Sequence, residues 1–509
     1  MKTFDLVIIG GGAGAFAAAI RANELGAKTA LVNSGLPLGG TCVNVGCVPS
    51  KTLLYAGEIL HHAKHHDVPG IELEVKNFDF QKVVQDELSL VEKLRQEKYE
   101  KVLKYLEHVA VIEGKAKFVS QNEVEVNGET LSAEKFIIAA GSTATVPPIE
   151  GIQEVGFITH IEALKMSKQP KELVVIGAGP LGLEFAQMFS RFGTKVTILQ
   201  RGDSIFPHSE KALTDRLAEI LSKEGITIKT NVEVKSARLR QGSGGQARKV
   251  ITYTQADLSA DLSAKASATA ETSVEADEIL LAAGKTPNTQ ELGLEVAGVE
   301  IDKRQAVVVN QNFQTSNKNI FAVGDVTNGP LRLEPTAGRE GTLAAENALK
   351  GATLSIDYNA VPYTIFTDPQ LAGVGFTEDE QMNPVRSRVR DGAASPEDRG
   401  AATSNGVKQM GVCACRTVSF EDVPKAIIMR ATLGMIKMAI HPQTKQILGV
   451  HILAPNAGEL IAEAMMLVKN KNTIDDVVNS LPMFPTLAEA IKIVALSFTR
   501  DISKLSCCI

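Results

Sequence analysis

The sequence predicts an α/β protein of two Rossmann-like units followed by a C-terminal α+β unit, and three observations carry that prediction. An apolar run over residues 4–9 leads directly into Gly10-Gly11-Gly12-Ala13-Gly14-Ala15 and an Ala-rich helical stretch. The same order recurs at Leu173–Ile176, Gly177-Ala178-Gly179-Pro180-Leu181-Gly182 and the segment after it. From Val361 onward the texture changes to short strands and apolar helices without a glycine fingerprint. Length agrees, since 509 residues correspond to roughly three domains of about 150 residues each.

Between a strand and a helix, such glycines permit a tight turn and let backbone N–H groups approach a pyrophosphate at the helix N-terminus, where the dipole favours an anion. One fingerprint is weak evidence. Two, about a domain length apart, imply two related units that each bind a dinucleotide. The second strand of the first unit, Thr29 to Val32, ends in Asn33. A carboxylate ordinarily holds the ribose hydroxyls there, and an amide, which both accepts and donates, gives a weaker contact. In the second unit, Lys195 to Leu199 ends in Gln200-Arg201. An acid at that place would repel a 2′-phosphate whereas arginine pairs with it, so NADPH is expected over NADH.

Inside the first unit lies Gly39-Gly40-Thr41-Cys42-Val43-Asn44-Val45-Gly46-Cys47-Val48-Pro49-Ser50-Lys51, at the start of a helical pattern through Leu53, Leu54, Ala56 and Ile59. Two thiols at C-x4-C can close into a disulfide, and a helix N-terminus lowers thiol pKa and favours the thiolate. Two buried structural cysteines fit the spacing as well. Zinc fits less well, because the region offers only two thiols. The cluster His61, His62, His65 and His66 has the i, i+4 spacing that could hold a metal, but a solvated face is expected instead.

The remaining segments follow in order. Residues 78–108 predict a long amphipathic helix with Val84, Leu88 and Val91 at helical intervals. Short strands are expected over 109–126, and Phe136–Ser142 reads as an apolar strand ending at a small-residue turn that lets backbone approach a cofactor. Leu280–Asn288 is a similar strand and turn around Gly284. Phe321–Val326 delivers Asp325, which either accepts hydrogen bonds from a polyol or caps the next helix. Residues 240–276 and 382–409 read as polar surface insertions. In the C-terminal unit, strands are expected near 426–440 and 447–453 and helices over 460–468 and 487–498. Cys413 and Cys415 share one face of an extended stretch, as a surface thiol pair or as incidental cysteines. Vicinal Cys507 and Cys508 strain as a mutual disulfide but suit capture of a soft metal ion; an unselected tail is the alternative.

Composition excludes some functions. A net charge of -6 without a long basic cluster offers no footprint for nucleic acid. Six cysteines in so long a chain do not make a secreted disulfide framework, and the N-terminus runs straight into a strand, so a reducing cytoplasm is expected. No apolar run reaches the roughly 20 residues of a membrane helix.

The Gly39–Lys51 string, both fingerprints, Ala-Ala-Gly-Lys-Thr-Pro-Asn at 282–288 and Val-Gly-Asp-Val at 323–326 together resemble the class I pyridine nucleotide–disulfide oxidoreductases over essentially the whole chain. The resemblance implies an FAD-binding domain from 1–150 and 278–355, an NAD(P)H-binding domain over 151–277, and a dimerisation domain over 356–509 that carries the Cys-Cys tail. It implies a homodimer whose sites draw on both subunits. It adds Gly40, Thr41, Lys51, Gly114, Gly141, Ser142, Glu184, Gly284 and Asp325 to the cofactor contacts made by Gly10, Gly12, Gly14, Asn33, Gly177, Gly179, Gly182, Gln200 and Arg201. Cys47 is implied as the thiolate next to the flavin, Cys42 as the outer exchanging thiol, and Lys51 as the partner of Glu184.

Within that family the chain looks most like the mercuric reductase branch. Disulfide-reducing relatives carry His-Pro-Thr and a following Glu near the C-terminus, whereas this chain reads Phe484-Pro485-Thr486-Leu487-Ala488-Glu489. Phenylalanine carries no proton, so exchange with an organic disulfide lacks its general acid. The Cys507-Cys508 tail and Thr367-Asp368-Pro369-Gln370 match the mercury branch, which usually has Tyr at the place of Phe484 and often an extra N-terminal metal-binding domain. The expected substrate is thiolate-bound Hg(II), ligated by Cys42, Cys47, Cys507 and Cys508, with FAD and NADPH as cofactors. The alternatives are a lipoamide- or glutathione-type dithiol reductase and a flavoprotein that sequesters metal without turnover.

Overall fold

The computed structural model describes residues 2–241, 247–255, 271–382, 413–504 and 506, so Cys507 and Cys508 lie outside the described residues, as does most of 382–409. The first unit is built on β1 (Lys2–Ile9), β2 (Thr29–Asn33), β3 (Val109–Glu113), β4 (Ala116–Ser120), β5 (Glu123–Val126) and β6 (Glu129–Ile138). The strand order is β3-β2-β1-β6-β5-β4, and Ile320–Ala322 pairs with the C-terminal end of β6. Side chains alternate along β1, so Leu6 and Ile8 enter one core while Val7 and Ile9 enter another. A strand buried on both faces reads as a continuous apolar run, which is what residues 6–9 show. Helices α1 (Ala13–Glu24), α2 (Gly40–Val45), α3 (Cys47–Lys64) and α4 (Phe80–Arg95) complete this part. The long helix expected to 108 ends earlier, passing through a π turn at Gln96–Glu100 and stopping at Leu103.

The second unit holds a parallel sheet in the order Thr227–Lys229, Lys195–Leu199, Glu172–Ile176, Glu278–Leu281. The sequence places the return to the first unit at 278, but Glu278–Leu281 pairs with Leu173–Ile176, so the chain crosses back only after Leu281. An apolar strand reads the same whichever sheet receives it. Within the expected insertion at 240–276, Ala247–Gln255 and Glu271–Ala276 are strands of a three-stranded antiparallel sheet with Val232–Gln241. Val250, Ile251 and Tyr253 are buried there, an apolar signal hidden between small polar stretches.

The C-terminal unit is a five-stranded antiparallel sheet in the order Tyr363–Ile365, Gln370–Gly375, Ile447–Ala454, Met435–Ile440, Ala414–Ser419. Helices Ala457–Lys469 and Glu489–Leu496 share its core. Residues 424–429 are a helix rather than the start of a strand, with Pro424 in its first turn, where the missing N–H is no loss. Among the described residues, no helix is long and apolar enough to cross a membrane.

Candidate active site

Two glycine turns follow the C-terminal ends of β1 and of strand Glu172–Ile176. After β1 the chain turns at Gly10, whose φ is 127° and where a Cβ would lie 2.2 Å from the Ala139 carbonyl oxygen. Only glycine fits both limits. Helix α1 starts from Gly12 without a side-chain cap, so its first N–H groups suit an anion. Gly40 and Thr41 open α2 against the same turn, with the space of a Gly40 Cβ 2.6 Å from the Gly12 Cα. Gly14 serves packing: a Cβ on Gly341 would stand 2.0 Å from its carbonyl oxygen, so α1 and helix Glu334–Lys350 meet backbone to backbone. The cradle fits the pyrophosphate of a bound FAD.

Other predicted contacts gather at the same sheet end. The Gly114 N–H donates to the Asn33 carbonyl at 2.8 Å. Ser142, just after Gly141, donates its hydroxyl to Asp325 Oδ2 at 2.7 Å. Asp325 is no helix cap, because the next helix starts at Glu334 after Leu333. Asn33 is not free to donate to a ribose: its amide nitrogen faces the Glu113 carboxylate at 3.2 Å and the Leu36 carbonyl at 3.1 Å. Gly284 accepts the Thr145 N–H at 3.0 Å.

The second turn repeats the device. Gly177 has φ 109°, and a Cβ there would lie 2.4 Å from the Ala282 carbonyl oxygen. Helix Pro180–Phe192 starts from Gly179, again uncapped, and nothing stands within 4 Å of a Cβ at Gly179. Gly182 packs under the turn, where a Cβ would meet the Gly177 carbonyl oxygen at 2.0 Å. This cradle fits a nicotinamide dinucleotide. Gln200 is a brace rather than a phosphate contact, since Oε1 accepts the Ala178 N–H at 3.0 Å and Nε2 donates to the Ser204 carbonyl at 3.1 Å. Arg201 is exposed and makes no ion pair with a described residue.

The two thiols flank the break between α2 and α3, with Cys42 half-buried and Cys47 exposed on the first residue of α3. A hydrogen bond from Cys42 and the nearby Lys51 ammonium bring the Cys47 thiol down to about 7, against burial. The same hydrogen bond, with burial, pushes the Cys42 thiol well up. The pair is therefore asymmetric, one sulfur ready as thiolate and the other holding the proton. One turn along α3, Lys51 Nζ donates to Glu184 Oε2 at 2.7 Å. Glu184 Oε1 accepts the Phe366 N–H at 2.9 Å, and the Phe366 ring lies 4.6 Å from the Lys51 ammonium.

Phe366 was not legible as a site residue, because its role is mostly a backbone N–H. Glu334, whose charge opposes thiolate formation at both Cys42 and Cys47, was missed for lack of any local motif. Glu113 was missed as well, though it is the register partner of Asn33. In the histidine cluster, His62 and His65 are exposed, as a solvated face requires. His62 Nε2 lies 3.2 Å from Asp368 Oδ2, close to Glu58, and these three could together reach a cation. Arg191 already holds the same Asp368 oxygen at 3.0 Å, which compensates its charge.

An asymmetric thiol pair at a helix start, between two dinucleotide cradles, defines a flavin-linked dithiol oxidoreductase. Residues 4–341 match the family described as pyridine nucleotide-disulphide oxidoreductase, and residues 399–495 match its dimerisation domain. The chain belongs to the pyridine nucleotide-disulphide oxidoreductase family, and membership implies FAD and NAD(P)H. A mercuric reductase of Lysinibacillus sphaericus is 36% identical over 506 residues, covering 99% of this chain and 84% of that one. A mercuric reductase of Streptomyces lividans is 36% identical over 511 residues, covering 99% and 98%. The HOCl-induced flavoprotein disulfide reductase RclA from Escherichia coli, solved as a Cu(II) complex, superposes with a TM-score of 0.79 at 25% identity, covering 98% of this chain and 100% of that one.

Proposed function

We propose that this chain is an FAD-dependent mercuric reductase that uses NADPH to reduce thiolate-bound Hg(II) to Hg(0). The observation that carries the reading is Phe484. It stands where a disulfide-reducing relative has its proton-carrying histidine, is 45% exposed, and leaves Glu489 to accept the Thr486 N–H at 3.0 Å instead of orienting an imidazole. Reduction of an organic disulfide needs a proton delivered to a leaving thiolate. Release of a neutral metal atom does not. Full-length similarity to mercuric reductases supports the same reading.

FAD and NADPH, when bound, supply the two electrons. Gly10, Gly12, Gly14, Gly40, Thr41 and the Ser142–Asp325 pair would hold the flavin nucleotide. Gly177, Gly179 and Gly182 would hold the nicotinamide nucleotide, with Arg201 on its 2′-phosphate. Cys507 and Cys508 of the partner subunit would collect Hg(II) and pass it to Cys42 and Cys47 by stepwise exchange, each step forming one S–Hg bond and breaking another. Cys42, the outer exchanging thiol, gives up its proton as it takes the metal, and Cys47, the more acidic thiol, binds it as the thiolate. Two electrons on the metal then give neutral mercury, which has no affinity for thiolate and leaves. The match to the dimerisation domain, and the exposed apolar side chains of Ile427, Ile428, Leu481 and Met483, support a homodimer.

The test is NADPH oxidation on adding Hg(II) in excess small thiol, with loss of volatile mercury measured in parallel. Hg-dependent oxidation with mercury loss is expected. Oxidation driven instead by glutathione disulfide or lipoamide assigns the chain to the disulfide-reducing branch represented by RclA. Metal retention without NADPH oxidation makes it a sequestering flavoprotein. Replacing both Cys507 and Cys508 by Ala should slow reduction of thiol-chelated Hg(II), and an unchanged rate removes their delivery role.

A further inference from the structure

Cys413 and Cys415 sit at the beginning of strand Ala414–Ser419, which is the edge strand of the C-terminal sheet. Ala414 and Val418 turn into the C-terminal core, so the alternation of the strand sends Cys413, Cys415 and Thr417 to the opposite face. That face carries the buried Lys437 ammonium, held 2.7 Å from Glu210 of the second unit and 2.5 Å from Glu378. Both cysteines are half-buried, and their sulfurs lie 3.0 Å apart.

We propose that Cys413 and Cys415 form a second dithiol centre, separate from Cys42 and Cys47, that closes reversibly to a disulfide by exchange with small disulfides of the glutathione class. The sulfurs are already in contact, so closure needs side-chain rotation rather than movement of the sheet. Two residues apart on one strand face, their Cα atoms stand about 6.6 Å from each other, near the upper end of the range that disulfides span. On an edge strand and only half-buried, such a bond stays within reach of small thiols, which makes it a switch rather than a staple.

The order of events follows from the two environments. Burial and the hydrogen bond to Cys413 push the Cys415 thiol up, so Cys413 is the attacking sulfur. Its thiolate bonds to one sulfur of the small disulfide, breaks the S–S bond and expels one thiolate. Cys415 then loses its proton, attacks the Cys413 sulfur and expels the second small thiolate. Two protein thiols are oxidised, one small disulfide is reduced to two thiols, and the two protons end on those thiols.

The experiment treats the FAD-loaded protein with oxidised glutathione, alkylates it and digests it with trypsin without reductant. Cleavage after Lys408 and Arg416 isolates Gln409–Arg416, which holds both cysteines and no other. The expected result is a peptide lighter by two hydrogens and unalkylated, restored to double alkylation by dithiothreitol. Cys415→Ser should trap glutathione on Cys413, while Cys413→Ser should trap much less on Cys415. Neither variant should change the rate of NADPH oxidation by the enzyme's own substrate. Double alkylation of the wild-type peptide, under conditions that close Cys42 with Cys47, overturns the proposal.

Discussion

Lys51 and Glu184 are bonded at 2.7 Å, and the second oxygen of the same carboxylate takes the Phe366 N–H at 2.9 Å. One buried carboxylate thus ties the thiol helix, the second glycine helix and the first strand region of the C-terminal unit together. Its partner ammonium also acts on Cys47 through space. Replacing Lys51 by Met should raise the Cys47 thiol above about 7, by about one unit or more given the usual effect of an adjacent opposite charge. The rate of alkylation of Cys47 against pH measures it, and an unmoved midpoint refutes the coupling. Glu184→Ala leaves the Phe366 N–H and the Lys51 ammonium without their acceptor and should cost about 2 kcal/mol of stability in urea unfolding.

Glu87, on α4, is 1% exposed, and neither carboxylate oxygen has a hydrogen-bond partner among the described residues. Burial pushes its pKa from 4.5 to about 7. The folded state therefore favours the neutral acid, and stability is lost as pH rises from 4.5 through about 7. Glu87→Gln should be more stable than the parent by about 2 kcal/mol at pH 8 and nearly equal to it at pH 4.5. Urea midpoints at the two pH values measure the difference, and equal offsets at both would falsify the assignment.

His160 shows the opposite sign. Burial, then the Lys285 ammonium 3.5 Å away, holds its pKa at about 4 instead of 6.5. Below pH 6.5 the unfolded chain binds a proton that the folded chain refuses until about pH 4, so stability falls across that window as acid is added. His160→Gln should lose about 2 kcal/mol less than the parent between pH 7 and pH 5. Parallel acid-dependence curves in urea would show that His160 contributes nothing to the slope.

Arg201 follows the second parallel strand of the second unit and has no described ion-pair partner, whereas Gln200 is engaged on both ends of its amide. Arg201→Glu should raise the KM for NADPH by about tenfold or more, as expected for losing an arginine–phosphate pair, and should leave NADH almost unaffected. Gln200→Leu should instead destabilise the turn and weaken both nucleotides together. An unchanged NADPH to NADH ratio in the Arg201 variant removes the 2′-phosphate contact.

What the sequence made legible was local. Both glycine turns, and the thiols at a helix start, depend on residues within one strand, one turn and the next helix, and there the periodicity is strong. The Lys51–Glu184 pair became visible only through family resemblance, because the two side chains are distant in sequence and meet by tertiary packing. The backbone N–H of Phe366 leaves no mark on residue type. Glu278–Leu281 shows its strand character but not its sheet. Residues 424–429 were misread although Pro424, a helix-start residue, stood in view. Asn33 was placed at the right strand end, but its register partner Glu113 lies on a strand that only folding brings alongside.

The pairing of Ile320–Ala322 with β6 has a consequence for biosynthesis. A ribosome releases β1 to β6 long before it releases residues 320–322, and the whole second unit is made in between. The C-terminal half of β6 must wait with an open edge, and open apolar edges recruit other chains. The second unit, whose four parallel strands close by Leu281, can finish first and hold the two parts of the interrupted unit near each other. Vectorial synthesis then favours an order in which the second unit matures before the first unit that precedes it in the chain. The glycine turn at Gly10 is among the last pieces to be completed, although it is the first to be translated.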